Sequence, residues 1–293
     1  MIIELSEQAQ IDLTRPPYET EGLGVAILGN KGSGKSNLMR LMAEEAHRNG
    51  IPFIYFDPNG DAASLRELGD DIVVIGDPAH DEAIRRARYP LAVAVRDPGS
   101  FVEMMLKEGY SLVVDLSEGD EPELSQLTFQ AMINEHFRRA GKLRTPAFIF
   151  VDEAHNYAPQ SNASKLEKES LRALGKVASD GRKRGMLLVV ATQRPTYLSK
   201  RIIFGVNVRI FGKITYWPDY NDVVRHYIPV SFQQMKALKS GEVFIFGDGI
   251  FREINLGKTR VRRGMTKDLG ATPVIQPVTR TERPSVKQLE LEL

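Results

Sequence analysis

Gly29-Asn30-Lys31-Gly32-Ser33-Gly34-Lys35-Ser36 is the stretch of the 293-residue sequence that decides the fold. It fills every fixed position of the pattern G-x-x-x-x-G-K-[ST], directly after the apolar run Gly24 to Leu28 and directly before a helical stretch, Asn37 to Arg48. Its glycines let successive backbone N–H groups point inward around phosphate oxygens, in conformations that a Cβ would obstruct. The sequence therefore predicts a phosphate-binding loop between a strand and a helix.

The side chains that end this loop predict its ligands. Lys35 would place a positive charge on the β- and γ-phosphates of a nucleotide, and Ser36 would offer a hydroxyl to Mg²⁺. The following helix would direct its positive end at the same anion. We expect ATP and Mg²⁺ as cofactors, with the nucleotide bound by Gly29, Asn30, Lys31, Gly32, Ser33, Gly34, Lys35, Ser36 and Asn37.

Two adjacent acids, Asp152 and Glu153, follow the apolar run Ala147 to Val151. A strand ending there would bring both carboxylates to the carboxyl edge of the sheet, where α/β proteins bind ligands. Asp152 would hold Mg²⁺ through water, and Glu153 would orient and partly deprotonate an attacking water. The pair favours ATP hydrolysis over phosphate transfer to a hydroxyl. The alternative interpretation is an ordinary pair of acids at the start of a helix. His155, nearby, is a residue type that more often packs than catalyses.

A third apolar run, Leu187 to Ala191, ends in Thr192 and Gln193. Gln193 can hydrogen-bond a γ-phosphate or the lytic water, or it can simply cap the strand. Hydrolysis also requires a cation that neutralises charge in the transition state, supplied by the same chain or by a neighbour. The candidates for this cation are Arg182, Arg184 and Arg209.

Short apolar runs alternate with helical stretches along most of the chain. This order predicts an α/β fold, a P-loop NTPase with a mostly parallel sheet flanked by helices. The further predicted strands are Pro52 to Phe56, Ile72 to Ile75, Leu91 to Val95, Leu112 to Leu116, Val208 to Thr215, Glu242 to Phe246 and Phe251 to Asn255, and the further helices are Leu124 to Ala140 and Lys165 to Ser179. Gly247-Asp248-Gly249 predicts a late β-hairpin. The predicted divisions are a lead segment (1–21), an ATPase motor domain (22–256) and a basic, proline-containing C-terminal tail (257–293).

Composition and charge exclude several classes of protein. The net charge of +1 excludes a histone-like polycation, and the absence of cysteine excludes disulfide scaffolds, thiolate zinc sites and cysteine nucleophiles. The longest purely apolar run, Met186 to Ala191, is too short for a membrane helix or a signal peptide, so we expect no membrane association and a cytoplasmic location.

Positive charge is concentrated locally between Arg172 and Lys213, where ten basic residues accompany one acid, Asp180. A solvated basic face is the ordinary interpretation of such a stretch. The other interpretation is contact with a polyanion. Because few aromatic residues lie among these charges, contact with the backbone of a duplex is favoured over stacking on the bases of a single strand.

Together and in this order, the stretches GNKGSGKS, Phe56-Asp57-Pro58-Asn59-Gly60-Asp61, FIFVDEAH, Gly181-Arg182-Lys183-Arg184-Gly185 and ATQRP resemble the HerA and FtsK superfamily of P-loop DNA-pumping ATPases. The HerA branch is the most similar, and viral genome-packaging ATPases belong to the same superfamily. The resemblance covers about Gly22 to Gly212. It implies a RecA-like hexameric ring that hydrolyses ATP at subunit interfaces and moves nucleic acid, usually double-stranded DNA, through its channel.

The resemblance also implies roles for individual residues. Lys35 and Ser36 would bind phosphate and Mg²⁺, Asp152 and Glu153 would be the Walker B pair, and Gln193 the sensor. Arg182 or Arg184 would reach the neighbour's nucleotide, with Arg209 as the other candidate, and Asp57 would shape the site. Only 28 residues precede Gly29, too few for the N-terminal barrel usual in HerA proteins.

Two functions from different classes remain open on the sequence. The first is an ATP-driven DNA translocase, in DNA processing or in genome packaging, with a nuclease or capsid partner left undetermined. The alternative is an assembly or switch ATPase that does not move along DNA. A small-molecule kinase is disfavoured by Glu153.

Overall fold

The computed structural model describes residues 1–76, 88–117, 122–161, 164–251 and 255–267. Its strands are β1 (Ile2–Glu4), β2 (Gln10–Asp12), β3 (Gly24–Leu28), β4 (Phe53–Asp57), β5 (Ile72–Ile75), β6 (Arg88–Tyr89), β7 (Ser111–Asp115), β8 (Ala147–Val151), β9 (Met186–Thr192), β10 (Val208–Phe211), β11 (Glu242–Phe246) and β12 (Leu256–Arg260). Its α-helices are α1 (Tyr18–Glu21), α2 (Lys35–Arg48), α3 (Leu91–Arg96), α4 (Pro98–Glu108), α5 (Pro122–Leu143), α6 (Lys165–Asp180), α7 (Lys200–Phe204), α8 (Trp217–Asp222) and α9 (Phe232–Lys236).

Ten of the described strands form one sheet, in the order β12-β11-β10-β3-β9-β8-β4-β7-β5-β6. Every neighbouring pair from β10 to β6 is parallel, whereas β11 and β12 join the β10 edge as an antiparallel hairpin. The parallel strands therefore end at one common edge, where β3, β8 and β9 deliver their following residues. The predicted α/β fold class, with its late hairpin, is confirmed.

Side chains alternate along each central strand between two apolar cores, one on each face of the sheet. In β8, Phe148 and Phe150 face the core shared with α2, while Ile149 faces the core covered by α3 to α8. These strands are fully buried, which explains why the sequence shows continuous apolar runs and not polar alternation.

Most predicted elements match the structure to within one or two residues, but three strands differ. The run Leu91 to Val95 is helix α3, which follows Pro90 and buries Leu91 and Ala94, three residues apart on one face. A short apolar run does not distinguish a strand from a helix, and here the spacing of the buried residues decides.

The strand predicted from Val208 to Thr215 ends at Phe211, because the chain turns at Gly212 to pack against the phosphate loop. The second strand of the late hairpin is Leu256–Arg260, not Phe251 to Asn255, and residues 252–254 lie outside the described part. The ladder of β11 with β12, from Glu242↔Arg260 to Phe246↔Leu256, sets this register.

The seven residues after β12, Val261 to Lys267, which we name the strap, run along helix α2. The buried Glu44 carboxylate accepts hydrogen bonds from the backbone N–H groups of Met265 and Thr266 and from the Thr266 hydroxyl. Arg40 donates to the Lys267 carbonyl at 2.6 Å, and Glu45 pairs with Arg262. Residues 257–260 lie in the sheet; the rest of the predicted tail, from 268, is outside the described residues.

The lead segment also packs on α2. Ile3, Leu5 and Ile11 are buried in the same core as the apolar face of that helix. The Leu5 carbonyl accepts from the Arg262 N–H at 3.1 Å, so the β1–β2 hairpin and the strap meet beside α2. The division into lead segment, motor domain and tail remains a prediction. Among the helices of the described residues, none combines the length and apolarity needed to cross a bilayer.

His136, on α5, is buried, and neither ring nitrogen has a hydrogen-bond partner among the described residues. Burial lowers its pKa from 6.5 to about 3, so the folded protein keeps the ring neutral while the unfolded chain takes up a proton below pH 6.5. Since the unfolded state then binds more protons, stability falls as the pH drops from 6.5 toward 3, by about 2 kcal/mol between pH 7 and pH 5.

We expect His136→Leu to remove this part of the pH dependence and to leave stability at pH 7 unchanged or higher. Urea unfolding at pH 5 and pH 7 measures it, with the exposed His226→Leu as the matched control. An equal pH dependence in the wild type and His136→Leu would contradict this account of His136.

Candidate active site

The phosphate loop lies between β3 and α2, as the motif predicts. Gly32 and Gly34 have φ values of +76° and +97°, which L side chains rarely adopt, and Gly34 is the residue immediately before α2. A Cβ on Gly29 would lie 2.8 Å from the Ser33 hydroxyl, so a side chain there would collide with the loop. The glycines thus hold the loop in a conformation in which its backbone amides can surround an anion.

Lys35 is buried in the first turn of α2, and its ammonium donates to the Asn30 carbonyl at 3.2 Å across the loop. Burial lowers the pKa of Lys35, while the charges of Glu153 and Asp152 raise it. Lys35 therefore interacts electrostatically with both acids, at the edge of the sheet where a terminal phosphate would meet its charge.

The two acids follow β8 at the same edge of the sheet. Asp152 is 2% exposed and accepts from the Glu153 N–H at 2.8 Å. Burial and the neighbouring charge of Glu153 raise the pKa of Asp152 to about 6. Glu153 itself has φ 42° and ψ 48°, a left-handed conformation that is rare outside glycine and concentrates at functional sites.

Glu153 is held by groups from its own turn and from the end of β9. Its Oε2 accepts from the Gln193 N–H at 3.1 Å and lies 3.2 Å from His155 Nδ1, which is 2.9 Å from the Thr192 hydroxyl. Burial raises the pKa of Glu153, but these hydrogen bonds and the Lys35 charge outweigh it, and its pKa lies below the usual value. Glu153 is therefore an ionised carboxylate at neutral pH.

A further acid ends the neighbouring strand β4. Asp57, the last residue of β4, is fully buried and accepts from the N–H groups of Asn59 at 2.9 Å and Ala62 at 2.6 Å. Burial is the main reason that its pKa rises to about 8. Asp57 thus orders the turn beside Asp152, in line with the shaping role that the resemblance implies.

On the side away from the acids, three segments border the phosphate loop. The Asn30 N–H donates to the Lys213 carbonyl at 2.8 Å, and its Oδ1 accepts from the Thr215 N–H at 2.7 Å. The Gly241 N–H donates to the Ser33 carbonyl at 3.1 Å. Asn37, predicted to bind the nucleotide, has its side-chain amide bonded to the strap, at the Arg262 carbonyl and the Gly264 N–H.

The three candidate arginines do not lie with this site. Arg182 and Arg184 precede β9, and its seven residues separate them from the phosphate-loop edge by about 23 Å. Arg184 donates to the Phe137 carbonyl, and its guanidinium lies 4.1 Å from the Phe137 ring centroid. Arg209 is buried in β10, bonded to the Ile203 carbonyl and stacked on Tyr227. Within one chain, none of them reaches Lys35.

The donor set at the sheet edge fits a magnesium nucleotide. The Ser36 hydroxyl and the Asp152 carboxylate are hard oxygen donors of the kind that Mg²⁺ takes together with phosphate oxygens and waters. Inside the loop, the buried Ser33 hydroxyl has no hydrogen-bond partner among the described residues, which leaves a donor for a phosphate oxygen.

Sequence reasoning missed part of this arrangement. The bonds of Asn30 to Lys213 and Thr215, and of Asn37 to the strap, join residues that are about 185 or more positions apart, and no local pattern reports them. Thr192 carried a usable signal, because it is a polar residue at the end of an apolar strand beside the acids. The backbone N–H of Gln193 contacts Glu153, and the role predicted for the Gln193 side chain stays a prediction.

Comparison with known proteins finds two family models and several curated proteins that match parts of this chain. The family described as Helicase HerA, central domain, matches residues 24–97, and the ATPase family associated with various cellular activities (AAA) matches residues 100–212. The DNA double-strand break repair helicase HerA of Pyrococcus furiosus is 24% identical over 210 residues, which are 67% of this chain and 37% of that protein. A probable HerA helicase of Methanocaldococcus jannaschii is 29% identical over 150 residues, half of this chain and 27% of that protein. The chain thus spans about a third of the length of these relatives.

Solved structures share the fold. The genome packaging NTPase B204 from Sulfolobus turreted icosahedral virus 2, in complex with ATPγS, has a TM-score of 0.52 and 14% identity and covers 82% of this chain and 98% of its own. The plasmid coupling protein TrwB, in complex with ADP and Mg²⁺, has a TM-score of 0.60 and 12% identity and covers 91% of this chain and 92% of its own. The loop, the acid pair and the sheet order are those of a P-loop ATPase, and the matched segments are similar to the central domain of HerA helicases and to the AAA ATPases.

Proposed function

We propose that the chain is an ATP hydrolase that moves nucleic acid, with double-stranded DNA as the substrate, as part of a ring of identical subunits. The observation that carries the proposal is the convergence of Lys35, Asp152 and Glu153 at one edge of the sheet, with Glu153 ionised. A binding protein that used only the phosphate loop would not need a strained, buried carboxylate at the same edge of the sheet as the loop lysine.

The residues divide the reaction between them. Lys35 and the loop amides bind the phosphates, and their positive character stabilises charge as the terminal phosphoryl group leaves. Glu153 Oε2 is held by the Gln193 N–H and faces His155, which leaves Oε1 to accept a proton from an attacking water. His155, fixed by Thr192, and the Gln193 backbone position this carboxylate, and the Gln193 side chain is available to hydrogen-bond the same water.

ATP and Mg²⁺ are the proposed cofactors. Ser36 and Asp152 would hold the ion, Asp152 through water, and the bound ion would neutralise charge on the phosphate oxygens. Because Asp152 has a raised pKa of about 6, its carboxylate is available to the ion above that pH.

In a ring, a neighbouring subunit can supply the stabilising cation, because none of the three candidate arginines reaches the phosphate loop of its own chain. Arg182 and Arg184 lie on the opposite edge of the sheet from Lys35, so either can serve only the nucleotide of a neighbouring subunit. This placement supports an assembly in which each site is completed in trans, and we take a hexamer, as the resemblance implies. Arg184 is also bonded inside its own chain but is partly exposed, whereas Arg209 is both bonded and buried and is the weaker candidate.

The charge of the surface supports a polyanionic substrate. A cavity of about 490 Å³ between α5, α6 and residues 181–184 is lined by four basic side chains and one acid. The lining cations are Arg144, Lys176, Lys183 and Arg184, and the acid is Asp180. Phosphate contacts of this kind give affinity without base specificity and weaken with salt.

Steady-state ATP hydrolysis with and without duplex DNA, single-stranded DNA and RNA, at two salt concentrations, tests the proposal. We expect turnover that requires Mg²⁺ and duplex stimulation that weakens at the higher salt concentration, because phosphate contacts release counterions. Activity per subunit should also fall on dilution, as rings dissociate.

The possible outcomes test ATP hydrolysis and translocation separately. No turnover by protein with intact Lys35 and Glu153, at concentrations where the ring forms, would overturn ATP hydrolysis. Turnover that is indifferent to every nucleic acid would overturn translocation and favour the switch ATPase. Displacement of a triplex strand from a duplex is the direct measure of movement.

A further inference from the structure

Two neighbouring aromatic side chains, Tyr216 and Trp217, are 56% and 53% exposed at the start of α8. Large aromatic residues usually contribute their area to a core or an interface, so two adjacent rings this exposed leave a broad apolar surface without cover. Neither residue has a part in the hydrolysis derived above.

The backbone immediately before this pair is fastened to the phosphate loop. Gly212 donates to the Leu28 carbonyl at 2.8 Å, the Lys213 carbonyl accepts from the Asn30 N–H, and the Thr215 N–H bonds to the Asn30 side chain. Tyr216 is the next residue, so the aromatic pair begins one Cα step, about 3.8 Å, beyond a residue bonded to the loop.

The order of the strands gives the direction in which a bound nucleotide extends. β3 lies between β9 and β10, and the acids that face Lys35 come from β8, on the far side of β9. The terminal phosphate belongs between Lys35 and Glu153, so the nucleoside leaves the loop toward the other side. That side is bordered by the segment after β10, where the aromatic pair lies.

Trp217 is fixed in place as well as exposed. Its ring centroid lies 5.4 Å from that of Tyr220 and 5.2 Å from that of Phe232, the latter edge-on. Such contacts hold the indole while about half of its surface stays open, so a planar ligand could stack at little cost in side-chain entropy.

We propose that Tyr216 and Trp217 form the base subsite of the nucleotide site, on which the purine of the bound nucleotide stacks. This inference rests on the proposed function, because it places the base relative to phosphates held by the loop. The occupant is the nucleotide's own base, since the segment is bonded to the loop that holds the phosphates.

Trp217 is the only tryptophan in the sequence, so its fluorescence reports on this position alone. We expect ADP with Mg²⁺ to quench Trp217 emission and inorganic tripolyphosphate, which fills the loop without a base, to leave it unchanged. Equal quenching by both, or calorimetric ADP binding without quenching, would overturn the base subsite. Quenching by a single-stranded oligonucleotide but not by ADP would overturn it in favour of a nucleic-acid contact.

Calorimetry on variants gives the second measurement. We expect Tyr216→Ala to weaken ADP binding about 5- to 150-fold, the range for loss of base stacking on an aromatic ring, and to leave tripolyphosphate binding unchanged. Tyr216→Phe, which keeps the ring, should bind ADP as the wild type does. The matched control is Tyr197→Ala, which removes a tyrosine that is 58% exposed but follows β9, on the side of the acids.

The results distinguish failure of the inference from failure of the function on which it rests. If Tyr216→Ala binds ADP as tightly as the wild type, or loses tripolyphosphate and ADP equally, the base subsite is wrong while nucleotide binding stands. If the wild type binds neither ADP nor tripolyphosphate, both the base subsite and the proposed function are wrong.

Discussion

Glu153→Gln should reduce the rate of ATP hydrolysis by at least about 100-fold while ATP binding stays near the wild-type level. The amide keeps the shape of the side chain and can still accept at its oxygen from the Gln193 N–H, but it cannot take a proton from water. Phosphate release at saturating ATP measures the rate, and calorimetry with ATP and Mg²⁺ measures the binding.

The matched control is Glu19→Gln, which makes the same chemical change at an exposed acid on α1. It should hydrolyse ATP as the wild type does. An unaltered rate in Glu153→Gln would assign the base to another residue. A large loss of ATP affinity would mean that Glu153 acts through the loop and not on the water.

Lys35→Ala should weaken ATP binding about 10- to 150-fold, the equivalent of a charge-assisted hydrogen bond of about 1.5–3 kcal/mol. Turnover should fall as well, because the transition state loses the same cation. The expected loss is large because Lys35 is buried and interacts with the charges of two acids, and its removal leaves Asp152 and Glu153 to repel a nucleotide. Calorimetry with ATP and with ADP measures the affinities.

Lys142→Ala is the control for this variant, because Lys142 is an exposed lysine on α5, outside the phosphate loop. Any effect of net charge alone should appear equally in both variants, whereas a specific contact should appear only in Lys35→Ala. Thermal unfolding of both proteins establishes that the loop variant is folded. Equal ATP affinities for the two variants would contradict the proposed role of Lys35.

The parallel part of the sheet could be predicted because fully buried strands appear in the sequence as continuous apolar runs. The runs at residues 24–28, 72–75 and 147–151 match β3, β5 and β8 residue for residue. The phosphate loop could be predicted because its glycines meet a backbone requirement that other residues cannot. The acids after β8 followed from the rule that parallel strands end at one edge.

The rest depended on contacts between distant parts of the chain. The helix at 91–96 has the composition of a strand, and only its packing against one core decides its form. The strap is polar and looked like the start of a tail, but Glu44 and Asn37 on α2 satisfy its backbone. Arg209 looked available as a finger, but its strand turns it into the interior.

The strap has a mechanical consequence. The N-terminal hairpin and the strap both end against the helix whose first turn carries Lys35 and Ser36. A load applied at Lys267 is therefore resisted first by its bond to Arg40 and by the bonds of Glu44. The hydrogen bonds between β12 and β11 would be loaded only after these. The helix that would hold the nucleotide is thus also the anchor through which tension on either end of the described chain reaches the interior.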